Sequence, residues 1–407
     1  MAVDGMTEPV AVLTVNGGSS SLRLHLVRID SENHGENHGE GRGEGPEATE
    51  TVIAEHTVEH APDTPPATKA LNDFVRCVGM VSIRGVGHRL VHGGPRLRRP
   101  TLADDEAVAA AREAAPLAPV HVPSALRLLG TTRTLLPHVP HVLCPDTAFH
   151  ADLPEVASTY PLPKSWRDRH GLRRFGFHGL SYAWAVRRAA QLLDRPVADL
   201  QLLLTHLGGG CSVCAVRGGR SVDTSMGFTP LEGVPMTKRS GSVDPGILLW
   251  LLERGGLTPE ELSDGLYQHS GLMGLSGERS ADTRELVPAA ERGDAAARLA
   301  MDVFAHRLRR ELAAAATSLD RIDAVVFTGE IGWDQPEVRE AACAGLGLLG
   351  VRGGLAGNRE DDGPVSAPGA AVPVLVVRPR EELQIARDTR TALPSERNPS
   401  GVVGRRA

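Results

Sequence analysis

Residues 12–24 read VLTVNGGSSSLRL, and residues 202–216 read LLLTHLGGGCSVCAV. Each stretch joins a short apolar run to a turn of glycine and small residues, followed by a second run that is typical of a strand. The same hairpin therefore occurs twice, about 190 residues apart (from residue 12 to residue 202). We interpret the repeat as the start of two similar halves of a duplicated fold, with a cleft between them.

Charge and apolar content limit the kinds of partner. The formal net charge is -6 and the charges are interspersed, so no basic surface for a nucleic acid is expected. The longest apolar runs, 246–252 and 370–377, are too short to span a bilayer. Residues 1–10 lack the apolar segment of a secretory signal. Five scattered cysteines favour a reducing compartment, so we expect a cytoplasmic protein that binds neither membranes nor nucleic acids.

Strands and helices alternate along the chain, which is the pattern of an α/β fold. Beyond the first hairpin, strands are predicted over residues 81–91, 141–144, 202–207, 211–216, 322–327 and 372–377. Helices are predicted over residues 105–115, 124–135, 181–193, 245–254, 298–319 and 336–349. Residues 30–50 are of low complexity, with ENHG repeated from Glu32, and favour a mobile loop insertion over a histidine metal site.

Both hairpin turns contain residue types that suit a polyphosphate chain. Glycine lets backbone N–H groups approach a phosphate closely, and hydroxyl groups add donors. Neither turn is a Walker A loop, because the Gly-Lys-Ser/Thr sequence is missing. A third loop, residues 328–332 (TGEIG), follows a predicted strand and is suited to lie along an adenosine. Residues 211–214 (CSVC) are not interpreted as a redox or zinc motif, because positions i and i+3 of a strand lie on opposite faces.

Transfer of a phosphoryl group to an acid brings two anions together, so cations are needed to neutralise them. Three candidates lie beside glycines: Arg89, His178 and Arg239. Mg²⁺ prefers oxygen ligands, which Asn16, Asp146 and Glu381 can supply directly or through water. For Asp146, capping of the segment that follows it is a rival interpretation.

Eight motifs resemble those of acetate kinases and occur in the order of that family. They are VLTVNGGSSSLRL (12–24), GHRLVHGG (87–94), DTAFH (146–150), RRFGFHG (173–179), VDTSMGFTPLEGVPM (222–236), SGLMGLSG (270–277), VFTGEIG (326–332) and EELQIARDT (381–389). The resemblance covers residues 12–389 and extends to the wider clan of sugar kinases and actin. It implies two duplicated domains of the actin-like ATPase (ribonuclease H-like) type, with the active site in the cleft.

The resemblance also implies a reaction and roles for individual residues. The expected reaction is reversible, Mg²⁺-dependent in-line transfer from ATP to acetate, giving acetyl phosphate and ADP, with Mn²⁺ as an alternative metal. Arg89 matches the substrate-carboxylate arginine, and Asn16 and Glu381 match metal-associated residues. The catalytic residues are expected to be Asp146, His178 and Arg239. The nucleotide-associated residues are expected to be Arg23, His206, Leu207, Gly208, Gly209, Gly210, Asp282, Thr283, Arg284, Glu330, Ile331, Gly332, Trp333 and Asp334.

Several residues depart from the pattern of the resembled family. The departures are Gly17, Leu180-Ser181-Tyr182, Gly209, residues 237–242 (TKRSGS), Glu330 and Trp333. Glu330 brings a negative charge towards the expected nucleotide, and Trp333 could stack on a base or fill its space. These departures motivate an alternative, a weakly catalytic nucleotide-binding regulatory paralogue. Propionate or another short-chain carboxylate is the alternative substrate, because one methylene changes discrimination by only ~1–3 kcal/mol.

The domain limits and the assembly are also expectations. The first domain is predicted at 1–150 plus 381–407 and the second, nucleotide-binding domain at 151–380. The crossover is predicted within residues 160–176, which are rich in proline, arginine and glycine. From the family resemblance we expect a homodimer.

Overall fold

Two six-stranded sheets form the framework of the protein. The computed structural model describes residues 10–18, 21–30, 49–62, 64–79, 83–119, 121–358 and 360–394. The first sheet contains β1 (Val10–Gly17), β2 (Leu22–Asp30), β3 (Thr49–Val58), β4 (Ile83–Leu90), β5 (Thr101–Leu102) and β6 (His141–Pro145). The same part of the chain contains α1 (Pro65–Val78), α2 (Asp105–Glu113) and α3 (Val122–Leu135).

The remaining chain contributes the second sheet and most of the helices. Its strands are β7 (Gln201–Leu207), β8 (Cys211–Arg217), β9 (Arg220–Thr224), β10 (Ala324–Thr328), β11 (Gly363–Pro364) and β12 (Val374–Val376). Its helices are α4 (Glu155–Ser158), α5 (Lys164–His170), α6 (Gly179–Leu193), α7 (Pro245–Glu253), α8 (Pro259–Gln268), α9 (Gly271–Leu275), α10 (Thr283–Glu291), α11 (Ala295–Ala316), α12 (Gly329–Asp334), α13 (Pro336–Cys343) and α14 (Glu381–Ala392).

The two sheets have the same strand order and the same strand directions. The orders are β3-β2-β1-β4-β6-β5 and β9-β8-β7-β10-β12-β11. In each sheet the first three strands are antiparallel neighbours, the next two run parallel to the third, and the last is antiparallel. The duplicated α/β fold predicted from the two hairpins is therefore confirmed.

Helices α6 and α14 contact the sheets at the centre of the molecule. Leu383 and Ala386 of α14 pack against Val12 and Val27 of the first sheet. Gly87 of β4 lies so close to α14 that a Cβ there would overlap Thr389. Helix α6 packs on the second sheet through residues such as Val186, and its Leu180 contacts the first sheet and α14. The chain after residue 380 thus returns to the first sheet, while the domain limits themselves stay a prediction.

The predicted elements agree with the observed ones except in a few places. Residues 328–332, predicted as a loop, belong mostly to the short helix α12. Gly329 begins this helix with φ 82°, because the chain turns sharply away from the backbone of Leu207. The helix predicted over 336–349 ends at Cys343 and is followed by a 3₁₀ turn, Gly347–Leu349. Residues 31–48, which contain most of the predicted loop insertion, lie outside the described residues.

Two further sequence predictions can be compared with the fold. Cys211 packs in the hydrophobic cluster on one face of the second sheet, and Cys214 packs in the cluster on the other face. Both thiols are free, and burial raises the pKa of each to about 12, as expected for small apolar residues rather than for a redox pair. None of the helices within the described residues is long and apolar enough to cross a membrane.

Candidate active site

An arginine and an aspartate at the end of the first sheet form the centre of the candidate site. Arg89 is the penultimate residue of β4, and Asp146 directly follows β6. Because parallel strands end at the same edge of a sheet, the two side chains meet there. Arg89 Nε lies 3.1 Å from Asp146 Oδ1, and its Nη2 lies 2.7 Å from Oδ2. The Asp146 side chain caps no helix, so the capping interpretation is not supported.

Asn16 and Glu381 complete this cluster from two other elements. Asn16 is near the end of β1, and Glu381 is the first residue of α14. Asn16 Nδ2 donates to Glu381 Oε2 at 2.8 Å, while Asn16 Oδ1 accepts from Arg89 Nη1 at 3.2 Å. Arg89 Nη1 also lies 3.6 Å from Glu381 Oε2. Four predicted site residues, separated by up to 365 positions in the chain, therefore share one hydrogen-bonded network.

Charges within the cluster change the pKa values of its members. Burial raises the pKa of Asp146 to about 6, against the opposing effect of Arg89. Burial would also raise the pKa of Glu381, but Arg89, His206 and the hydrogen bond from Asn16 lower it below its ordinary value. Burial would lower the pKa of Arg89, yet Asp146 and Glu381 raise it. Both carboxylates are thus ionised above about pH 7, and Asp146 is the one that takes up a proton on mild acidification.

The donor set of the cluster fits a magnesium ion. Asn16, Asp146 and Glu381 offer amide and carboxylate oxygens, the ligand type that Mg²⁺ prefers. In the described part of the chain, no group of three or more His, Cys, Asp or Glu side chains forms a metal cage. Mg²⁺ does not need such a cage, because it is usually bound through one or two carboxylates together with substrate phosphates and water.

His178 and His206 lie against each other beside the second glycine turn. Their rings are stacked with centroids 4.1 Å apart. A Cβ placed on Gly210 would lie 2.9 Å from His178 Nε2, so glycine is required there to leave the ring in place. Burial, followed by the effect of His206 and then of Arg89, lowers the pKa of His178 well below its ordinary value. The imidazole is therefore neutral at physiological pH.

Arg239 reaches the same turn from the loop after β9. Its Nη1 donates to Pro230 O at 3.1 Å and would lie 3.6 Å from a Cβ on Gly210. Thr237 Oγ1 donates to Gly209 O at 3.0 Å and so attaches this loop to the turn. Burial lowers the pKa of Arg239, and among the described residues no carboxylate forms an ion pair with it. Arg239 is thus a largely buried cation whose charge is not neutralised, beside a glycine turn.

The predicted nucleotide residues form two groups on the second half. The glycine turn closes on itself, with Gly208 N donating to Gly210 O at 2.9 Å. Asp282 caps α10 by accepting from Arg284 N at 2.8 Å. The hydrogen bond to Asp282 raises the pKa of Arg284, and the charges of Asp334 and Glu330 raise it further. Thr283 and Ile331 are buried, and Trp333 is half-buried against the core of the second sheet. Gly332 O accepts from Arg339, which holds the end of α12 in place.

Arg23 forms an ion pair with a residue of the other half of the molecule. Its Nη2 lies 2.5 Å from Glu330 Oε1. Arg23 belongs to β2, whereas Glu330 belongs to α12, so this ion pair joins the two halves. Both side chains remain partly exposed, 44% for Arg23 and 65% for Glu330.

Some residues near the site were not singled out by the sequence. Burial, followed by the charges of Arg239 and Arg89, lowers the pKa of His121 to about 4. The sequence shows only a histidine in a turn before Pro123, and nothing in that pattern separates it from other turn histidines. Ser212 contacts His178, and Tyr182, named above only as a departure from the family pattern, contacts Ser212; the two lie in segments that read as an ordinary strand and helix.

This arrangement can bind an anion and neutralise a second one. Arg89 has carboxylate partners, whereas Arg239 and the ring of His178 lie beside Gly210 of the glycine turn. Two similar α/β domains with cationic donors at a glycine turn are the features of a phosphotransferase.

Comparison with known proteins identifies the class more closely. The profile of the acetokinase family matches residues 11–387. The acetate kinase of Deinococcus radiodurans is 44% identical over 388 residues, which cover 93% of this chain and 96% of that protein. The acetate kinase of a Synechococcus species is 48% identical over 316 residues, which cover 77% and 78%.

Solved structures agree with the sequence comparison. The crystal structure of Porphyromonas gingivalis acetate kinase matches with a TM-score of 0.79 and 33% identity, covering 95% of this chain and all of that one. A propionate kinase from Francisella tularensis matches with a TM-score of 0.80 and 28% identity, covering 94% of this chain and all of that one. The chain belongs to the acetokinase family, whose members are phosphotransferases that use ATP and a carboxyl group as acceptor.

Proposed function

We propose that the chain catalyses reversible phosphoryl transfer from ATP to acetate, giving acetyl phosphate and ADP. The observation that carries this proposal is the convergence of the Arg89 cluster with the donors at Gly210. The charge of Arg89 contributes to the lowered pKa of both His178 and Arg239, which supports an acid at Arg89 and a phosphoryl group at the turn sharing one site. In this proposal the active-site cleft is formed by the two predicted domains, 1–150 plus 381–407 and 151–380.

Each of the proposed site residues has its own role in an in-line transfer. Arg89 binds the acetate carboxylate, because Asp146 and Asn16 leave N–H donors on its Nη1 and Nη2. An acetate oxygen attacks the γ-phosphorus while the bond to the β,γ-bridging oxygen breaks, and its electron pair leaves with ADP. Arg239 and neutral His178 donate to the equatorial oxygens, whose charge they stabilise in the transition state. Asp146 keeps the Arg89 guanidinium oriented during the transfer.

Glu381 and Asn16 would hold the magnesium ion in this proposal, with Mn²⁺ as a substitute. When bound, it neutralises part of the charge on the transferred phosphates. The phosphates lie along His206–Gly210, with Arg23 as a further partner. The adenosine lies between Asp282–Arg284 and residues 330–334.

A hydroxamate assay with ATP, Mg²⁺ and acids of two to four carbons tests the activity. We expect product with acetate, and propionate is the second candidate because a propionate kinase shares the fold at 28% identity. Acetate and propionate differ by one methylene, which changes their discrimination by only ~1–3 kcal/mol, so both acids should react. Absence of product with every acid would reject the proposal in favour of a regulatory nucleotide-binding paralogue.

We also propose that the protein forms a homodimer through α7. This helix carries the apolar sequence GILLWLL, and its Ile247, Leu249 and Trp250 are 50%, 58% and 59% exposed. A helix that is apolar on all sides is normally buried, and a second copy offers the same uncharged face in a two-fold contact. Trp250→Glu should halve the mass measured by light scattering, whereas Leu348→Glu, at an exposed leucine elsewhere, should leave it unchanged.

The five free cysteines support a cytoplasmic location.

A further inference from the structure

Two buried hydroxyl groups connect in a line to His178. The Tyr182 hydroxyl lies 2.6 Å from Ser212 Oγ, which lies 2.8 Å from His178 Nδ1. Tyr182 belongs to α6 and Ser212 to β8, and the side chains of both are fully buried. The chain of contacts therefore runs from the interior to the imidazole that faces the glycine turn.

The burial of Tyr182 determines the direction of these hydrogen bonds. A buried phenol must donate its proton, and among the described residues Ser212 Oγ is the one acceptor within hydrogen-bond distance of it. Ser212 Oγ accepts from Tyr182, so its own proton is donated to His178 Nδ1. A neutral imidazole that accepts at Nδ1 carries its proton on Nε2.

The protonated nitrogen is the one that faces the proposed reaction. Nε2 is the His178 atom nearest to Gly210, on the side where Arg239 also approaches. Because His178 is neutral, it can donate one hydrogen bond from its ring, and only the Nε2–H tautomer directs that bond towards the turn. The other tautomer would present a lone pair to an anionic phosphoryl group, which is repulsive.

We propose that Tyr182 and Ser212 are positioning residues for the phosphoryl transfer, because they hold the proton of His178 on Nε2. The inference rests on the proposed function for its catalytic consequence. Its structural part, the tautomer, can be measured whether or not the protein turns over acetate. Replacing Tyr182 by Phe frees Ser212 to donate or to accept, so both tautomers become accessible.

The test combines nitrogen-15 spectra with steady-state kinetics on the full-length protein. In the spectrum of the parent protein, the proton of His178 should be on Nε2. The His178 signals are assigned by their absence from the spectrum of His178→Gln. Tyr182→Phe should show a growing Nδ1–H fraction and a kcat lowered about tenfold, with KM for ATP and acetate within about twofold. Ser212→Ala should lower kcat at least as much, and Ser212→Thr should restore it because it keeps the hydroxyl.

Ser221→Ala is the matched control. Ser221 Oγ lies 2.8 Å from His150 Nδ1, but the other nitrogen of His150 is bound to Phe177 O rather than facing the turn. This variant should keep the parent kcat. An Nδ1–H tautomer on parent His178, a loss confined to KM, or an equal loss of kcat in Ser221→Ala would each overturn the inference. Should Ser212→Ala fail to fold, the parent spectrum and Ser212→Thr still decide the outcome.

Discussion

The ion pair between Arg23 and Glu330 should weaken the binding of ATP. Glu330 lies at the glycine turn, since its backbone nitrogen is 3.8 Å from the position of a Cβ on Gly208. If Arg23 is to bind a nucleotide phosphate, it must first leave Glu330. We therefore expect Glu330→Gln, which removes the charge but keeps the size of the side chain, to tighten ATP binding.

The magnitude follows from the exposure of the pair. Both side chains are partly exposed, 44% and 65%, and such pairs are worth about 0.2–1 kcal/mol. The dissociation constant for ATP should therefore fall by roughly 1.4- to 5-fold. The difference should shrink in 1 M salt, where the Debye length is about 3 Å.

Calorimetric titration with ATP and Mg²⁺ measures this change. Glu113→Gln is the control, because it removes a comparable exposed ion pair with Arg96 in the first half. Arg23→Ala should have the opposite effect, since it removes the phosphate partner together with the pair. An ATP affinity that is unchanged or weaker in Glu330→Gln would refute the reasoning.

Three further predictions concern catalysis and stability. Arg239→Ala should lower kcat by roughly 10²–10³-fold with little change in KM, measured in the hydroxamate assay, because its charge acts in the transition state. Gly210→Ala should lower kcat in the same assay, since its Cβ would displace the ring of His178. Acidification from pH 7 to pH 5.5 should lower the free energy of unfolding by roughly 1 kcal/mol for each buried imidazole whose pKa is about 4 in the folded chain, because the unfolded chain takes up the proton first. These imidazoles are His92, His121, His141, His150 and His206, and the further lowered pKa values of His88 and His178 act in the same direction. The raised pKa values of Asp388 and Asp146, each about 6, have the opposite sign and offset part of the loss. Urea unfolding at the two pH values checks the sum, and equal stability at both would contradict it.

Local patterns predicted eight of the twelve strands and six of the fourteen helices that the described residues form. The apolar runs before residues 16 and 206 and the glycines after them predicted β1 and β7, whose position in each sheet is the same. The errors fall where tertiary contacts decide the local structure. The segment after Thr328 forms α12 because Gly329 must turn away from the Leu207 backbone, which belongs to a strand more than a hundred residues earlier.

The site was predicted less completely than the fold. Residue types near glycines indicated Arg89, His178 and Arg239, which lie near the end of β4, directly before α6 and in the loop after β9. Helix 245–254 was predicted, but its exposed apolar face was not, because an apolar run reads as a buried segment. His121 was missed because Arg89 and Arg239, whose charges lower its pKa, are distant from it in the chain.

The sequence alone determined the duplicated α/β plan, the family and the chemical groups available for the reaction. These features depend on short-range periodicity, on glycine positions and on residue identity, all of which are local. Only the tertiary structure decided which groups meet: Arg89 with Asp146, Arg23 with Glu330, and His178 with Ser212. Ion pairs and hydrogen bonds act over a few ångströms, so their partners are chosen by strand order and helix packing rather than by distance along the chain.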